Sequence, residues 1–264
     1  ADLPSTGGTC DARGLEGAQT VSAFTVSKNL VLLLGAGTYT FTAAPVLTAG
    51  VEFQIVGLGQ ATTTLVWNTA GFLFDVGGSD VIHNVVLRDF TASIGASGTG
   101  FLQVGRTATA YNDALMRLHW HLSNLEIDGI SAATAGRTGM SLTQLAIHRL
   151  DHVTVRNFET GILSDRTTVG AYTRLRVWSF KNGAEWRKGD APGASNDSVY
   201  MADILGPTTG DGGFGLKVDQ EGVVFTSPFL EAQAGATNAN LLVITANGAR
   251  ASFLSPYFAN PAAA

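Results

Sequence analysis

Charge is scarce in this chain: Asp, Glu, Lys and Arg together make up 14% of 264 residues, against about a quarter in ordinary soluble domains. The few charges leave a net −5 and never gather into a Lys/Arg run, which argues against a nucleic-acid partner. Cysteine is nearly missing: Cys10 stands alone, which excludes an internal disulfide and says little about compartment. No apolar run approaches the ~18 residues of a membrane span, and the longest, at 30–34, reads as a buried strand. Helical spacing, with apolar residues three and four apart, is confined to 15–26. No charged and apolar leader opens the chain, as expected of a mature form that begins Ala1-Asp2.

What the chain has instead is one phrase repeated: an apolar residue, an outward residue, a second apolar residue, two spacers, then a bulky apolar residue or Pro. The copies are Phe53/Ile55/Leu58, Val85/Leu87/Phe90, Leu125/Ile127/Ile130, Val153/Val155/Phe158, Leu175/Val177/Phe180, Val199/Met201/Ile204, Val223/Phe225/Pro228 and Ala251/Phe253/Pro256. Their starts lie roughly 28 residues apart, in the range where self-similarity signals a solenoid. The first two apolar positions alternate as a strand does.

A second register runs between the copies and is usually announced by glycine: Gly71-Phe72, Gly100-Phe101, Gly139-Met140, Gly161-Ile162, Gly183-Ala184, Gly215-Leu216, and Asn240-Leu241 without it. Each repeat therefore holds at least two short strands. Strands that recur without hairpin turns stack parallel, one coil on the next, about 4.8 Å apart. The expectation is an all-β fold, a single-stranded right-handed parallel β-helix of about eight to ten coils. Low charge and 32 glycines agree with it, because each coil buries one face of every strand and turns sharply several times.

The uninterrupted repeat argues for one solenoid domain over 29–260. Residues 1–28 read as a short N-terminal cap, Gly- and Ser-rich and then weakly helical, and 261–264 as a tail. Two longer stretches, 91–122 and 188–198, interrupt the rungs and are expected to wall a binding surface.

The segment Leu33-Leu34-Gly35-Ala36-Gly37-Thr38-Tyr39, followed by Phe53-Gln54-Ile55-Val56-Gly57-Leu58-Gly59, resembles the opening coils of the pectate-lyase-like superfamily of right-handed β-helices. Near the end, Ser227-Pro228-Phe229-Leu230-Glu231 and Ser255-Pro256-Tyr257-Phe258 are similar to a phrase common in phage tailspikes and related secreted β-helix proteins. The resemblance implies a polysaccharide ligand, often a homotrimer, and an extracellular or virion-surface location. It does not carry an active site. The Asn-Thr-Asp, Asp-Asp and Gly-His-Gly strings of polygalacturonase-like hydrolases do not occur, and fold analogy alone does not give function.

Candidate site residues come from the outward positions. Stacking the copies in phase places Glu126, Asp128, Arg156, Arg176, Trp178, Tyr200 and Asp203 on one shallow patch of roughly 15–20 Å. Trp178 and Tyr200 offer flat faces for sugar rings, and Arg156 and Arg176 could grip carboxylates bidentately. Glu126 and Asp128 lie two apart on one strand and are candidates for the acid and the base or nucleophile of glycoside hydrolysis, with Asp203 nearby. The same residues also read as a ladder of surface ion pairs. A lyase would use Arg176 and Tyr200, with calcium between Asp128 and Asp203 as its only implied cofactor; a hydrolase implies none.

On the other outward face, Asp75, Gly105, Thr143, Asp165, Arg187, Asp219 and Thr245, beside Glu185 and Lys217, read as a solvated face of alternating charge. Asp165-Arg166, Glu185 and Asp219 form its fallback acidic site. His119-Trp120-His121 reads as surface histidines, since no third ligand is spaced for zinc. Asn84 and Asn124 read as a stacked turn ladder. Two functions remain open: a protein that binds an acidic polysaccharide, with or without cleaving it, and a non-catalytic rod, adhesin or fibre module.

Overall fold

The computed structural model describes residues 6–15, 17–76, 82, 84–105, 112, 116–130, 134–191, 196–206, 213–232 and 240–259. Among them the one helical segment is the short 3-10 turn Asn247–Arg250; the remaining regular structure is strand. All strand pairings are parallel, and they join each turn of chain to the next as a β-solenoid.

The pairings define three faces. The first stacks Gly8–Ala12, Leu30–Leu34, Phe53–Val56, 85–88, 120–123, 148–151, 170–173, Ser198–Tyr200, Val224–Thr226 and Ser252–Leu254. The second stacks Gln19–Val21, Gly37–Phe41, Thr63–Trp67, 91–94, 125–128, 153–156, 176–178, Asp203–Leu205, Phe229–Glu231 and Tyr257–Ala259. The third runs from Phe72–Val76 through Gly100–Val104, Thr138–Thr143, 160–165, 182–187 and Phe214–Asp219 to Asn240–Ile244. Long strands such as Leu145–Asp165 bend through all three. The stretch 15–26 is not helical: it carries the strands Gln19–Val21 and Thr25–Val26, because pairing with the next rung overrides its local spacing.

Alternation puts every second residue inside. Phe53, Ile55, Leu87, Leu122, Leu125, Ile127, Val153, Val155 and Val177 are wholly buried, and each faces a like residue one rung away. In the lower half the interior is threaded by edge-to-face rings: His148 to Tyr172 at 5.1 Å, Tyr172 to Trp186 at 5.3 Å, and Trp186 to Phe225 at 5.2 Å. Phe225 then stacks on Phe253 at 4.9 Å.

The corner between the first and second faces is turned by one residue per rung in the left-handed conformation: Asp89, Asn124, His152, Arg174, Met201, Ser227 and Ser255. Such a φ is uncommon without glycine. Here it lets a single residue redirect the chain while its side chain stands outward. Asn84 and Asn124 belong to different corners. Asn84 donates to Glu52 Oε1 at 2.9 Å and Asn124 to Asp89 Oδ1 at 2.8 Å, so each ties to the rung above rather than to the other.

The third face begins on a column of Gly139, Gly161, Gly183 and Gly215. A Cβ on Gly161 would lie 2.7 Å from the carbonyl oxygen of Gly183 and would overlap the Val177 side chain. Only glycine lets the rungs close up at this corner.

The repeated phrase is real, but its copies are not all in phase. Phe53/Ile55 and Val85/Leu87 start on the first face; Leu125/Ile127, Val153/Val155 and Leu175/Val177 start on the second; Val199, Phe225 and Phe253 return to the first. The bulky slot does not follow the phase: Phe90, Phe158 and Phe180 are buried, whereas Leu58 is 54% and Ile130 64% exposed.

Candidate functional site

Correct phasing changes which outward residues meet. On the second face Thr38, Thr64, Thr91, Glu126, Thr154, Arg176 and Asp203 form one column, and Thr40, Val66, Ser93, Asp128, Arg156, Trp178 and Leu205 form the next. Small hydroxyl and apolar residues fill the upper rungs; charge and the indole fill the lower ones. Six of the expected residues are therefore brought together: Glu126, Asp128, Arg156, Arg176, Trp178 and Asp203. Tyr200 is not among them. It sits on the first face between Thr173 and Thr226, across the corner.

Arg156 bridges the two candidate carboxylates, its Nη2 lying 2.7 Å from Glu126 Oε1 and 2.9 Å from Asp128 Oδ2. Asn157 donates to Asp128 Oδ1 at 2.6 Å. Below, Trp178 has the guanidinium carbons of Arg156 and Arg176 at 5.7 and 5.8 Å from its ring, and Arg176 pairs with Asp203 at 3.2 Å. Arg156 Nε and Trp178 Nε1 are shielded from solvent and have no hydrogen-bond acceptor among the described residues. Two neighbouring donors left in that state are the groups a ligand oxygen would satisfy. Asp128 and Asp203 stand three rungs and one column apart, about 14 Å or more, too far to share one cation. Among the described residues no group of three or more His, Cys, Asp or Glu side chains is placed to hold a metal ion.

The corner itself holds a cavity of about 220 Å³ lined by His152, Thr154, Arg174, Arg176, Met201 and Asp203. His152, Arg174 and Met201 reach it because they are the left-handed corner residues of successive rungs. Beyond it, on the first face, Asp151 accepts from Arg174 at 2.9 Å and lies 3.7 Å from Arg149, beneath His121. Burial and then the neighbouring Arg149 hold His121 below the usual imidazole range. Trp178 on one side and exposed Tyr200 on the other flank this corner. Sequence reasoning missed His152, Arg174, Arg149 and Asp151. The signal for the corner residues was their place between an outward residue and the first apolar residue of the next face, as in Asp151-His152-Val153 and Thr173-Arg174-Leu175.

The fallback acidic face is less solvated than its sequence suggests. Thr143, Asp165, Arg187 and Asp219 do form one column, but Asp75 belongs to the next, in register with Gln103, and Asp165 and Glu185 are buried. Arg166 grips Asp165 through Nε at 3.0 Å and Nη2 at 2.8 Å, and reaches Asp190 at 2.8 Å, which fastens the turn at 188–191. Burial pushes the Asp165 carboxyl up against the opposing pull of Arg166. Glu185 is held by Lys217 at 2.9 Å and Arg187 at 3.0 Å. These contacts make it a pinned structural face. Residues 106–111, 113–115 and 192–195, within the two longer stretches singled out from the sequence, lie outside the described residues.

In the histidine stretch, His119 is an exposed left-handed corner residue, Trp120 points inward and donates to the Ile82 carbonyl at 3.0 Å, and His121 points outward. His148 and His152 part company too: one is buried in the core, the other lines the corner cavity. No family model matches this chain, and neither a curated protein nor a solved structure matches it.

Proposed function

We propose that this protein binds an acidic polysaccharide across the corner between its first and second faces, as a secreted or virion-surface β-helix. The single observation that carries the reading is the cavity presenting Arg174 and Arg176 side by side, with Trp178 and Tyr200 flanking it. Arginines supply forked donors for carboxylate or sulfate groups, and the two aromatic side chains offer platforms to sugar rings on either side. At about 220 Å³ the cavity is smaller than drug-sized pockets, so it seats one ring or one substituent, while the rest of a chain lies along the rungs.

Binding is better supported than cleavage. Glycoside hydrolysis needs two carboxyl groups facing each other across the scissile bond. Glu126 and Asp128 instead point at one guanidinium that occupies the space between them. The right-handed sense of winding follows the general preference of parallel crossovers.

Isothermal titration with carboxylated, sulfated and neutral polysaccharides tests the reading, with new reducing ends and unsaturated uronates followed in the same samples. Binding of acidic glycans that Arg174→Ala and Arg176→Ala weaken by about tenfold or more supports it. Equal affinity for neutral glycans, or no binding at all, rejects it. A non-catalytic rod is the second reading, favoured by outward, exposed Leu254 and Tyr257 on the last described rung, which would pack copies together, three in a homotrimer. Sedimentation of the wild type and of Leu254→Ser/Tyr257→Ser tests the rod, which requires assembly: a wild type that stays monomeric rejects it, while the glycan titration decides the first reading.

A further inference from the structure

His148 lies inside the solenoid, between Trp120 on the rung above and Gly170 on the rung below. Its neighbour has to be glycine, because a Cβ at position 170 would overlap the imidazole and stand 2.8 Å from Asp197 Oδ1. The ring anchors a chain of polar groups with almost no solvent contact. His148 Nε2 is 2.7 Å from the Tyr172 hydroxyl, which is 3.1 Å from Ser164 Oγ, itself 2.6 Å from Thr167 Oγ1. Thr167 donates to Asp197 Oδ2 at 2.7 Å, and the Gly170 amide donates to Asp197 Oδ1 at 2.7 Å. Gln220 closes the cluster by donating to the Thr167 carbonyl at 2.8 Å.

The second ring nitrogen, Nδ1, is buried and has no hydrogen-bond partner among the described residues. In the neutral imidazole that atom carries no proton when Nε2 donates, so the arrangement is tolerated. A protonated ring would carry N–H at both positions, one of them facing no acceptor. The groups that face the ring are Trp120 from above, Tyr172 and Gly170 from below, and Ser164, Thr167 and Asp197 through the hydrogen-bond chain. Of these only Tyr172 and Asp197 titrate. Burial holds the Tyr172 proton on and pushes His148 down, and the attraction of Asp197 only partly offsets the effect on His148.

We infer that the His148 cluster is an acid-released lock, closed by the neutral imidazole and opened when that imidazole must take up a proton. The rungs it joins are 148–165, 170–187 and the one beginning at Asp197, so release loosens the wall from which His152, Arg174 and Met201 project. The inference does not depend on what the corner binds. The sign follows from linkage: a histidine whose folded form resists protonation stabilises the fold above the unfolded value of about 6.5, and that stability is lost as pH falls below it, by up to tenfold in the folding constant per pH unit.

Hydrogen exchange of the intact protein between about pH 7.5 and pH 5, corrected for the intrinsic rate, tests it. Amides at 168–173 and 198–200 are expected to lose protection by up to tenfold per pH unit, while those at 30–67 keep theirs. His148→Gln, which holds the Tyr172 contact without a titrating ring, is expected to abolish the loss, and His121→Gln to leave it in place. Protection that persists at pH 5, or a loss that survives in His148→Gln, overturns the lock. Should His148→Gln not fold, the ring resonance of the wild type decides. An imidazole that protonates while 168–173 stay protected overturns the inference; one that stays neutral until they open supports it.

Discussion

Trp178 stacks directly beneath Arg156, one rung down the same outward column, with the guanidinium carbon 5.7 Å from the ring centre. The pair fixes the edge of the candidate site, because the same guanidinium reaches up to Glu126 and Asp128.

Removing that guanidinium strips two carboxylates of their shared partner and the indole of a cation contact. Arg156→Ala is expected to cost about 1–2 kcal/mol in urea unfolding, between the values for exposed and buried pairs because the side chain is about one-third exposed. Adding Asp128→Asn to Arg156→Ala should recover part of the loss. A double-mutant cycle with no coupling would mean that the bridge is not formed in solution.

Trp178 is also the one tryptophan that solvent can reach, since Trp67, Trp120 and Trp186 are fully buried. Iodide should therefore quench a single fraction of the emission. Trp178→Phe should remove that fraction entirely. Quenching that survives the substitution would show a second indole at the surface.

The glycine column predicts a sharp contrast between two identical substitutions. Gly161→Ala places a methyl group against the Gly183 carbonyl and the Val177 side chain and should cost about 2–3 kcal/mol; Gly14→Ala meets nothing and should stay within about 0.5 kcal/mol of wild type. Similar melting of the two variants would contradict the close approach of the rungs.

His121 should titrate below the free-histidine range in an NMR titration. Arg149→Gln should raise its midpoint only part of the way, because burial acts more strongly on it than Arg149 does. Full restoration by that one change would reverse the order of the two causes.

The period, the strands and the absence of helix-rich segments were all legible in the sequence because alternation survives any choice of phase. The phase was not. An apolar-x-apolar stretch reads alike on the first and second faces, and what separates them is a left-handed residue that composition does not announce: Asp89, Asn124, His152, Arg174 and Met201 share no residue type. Placing Tyr200 on the same patch as Arg176 was the direct result, where the structure stacks it on Thr173 of the first face. The residues of the second-face patch were found because Glu126, Asp128, Arg156 and Trp178 lie on copies of the phrase in mutual register. Arg174 and His152 were missed because they stand just before the first apolar residue of their copies, outside the repeated phrase.

The chain of rings from His148 through Tyr172, Trp186 and Phe225 to Phe253 has a mechanical meaning. Solenoid rungs touch only their neighbours, so a molecule under tension sheds them one at a time from its ends. Trp186 breaks that independence by reaching Phe225 across the rung of Val199 and Val218. The rungs from His148 to Phe225 would detach as a block, giving one large step in a pulling trace among smaller ones.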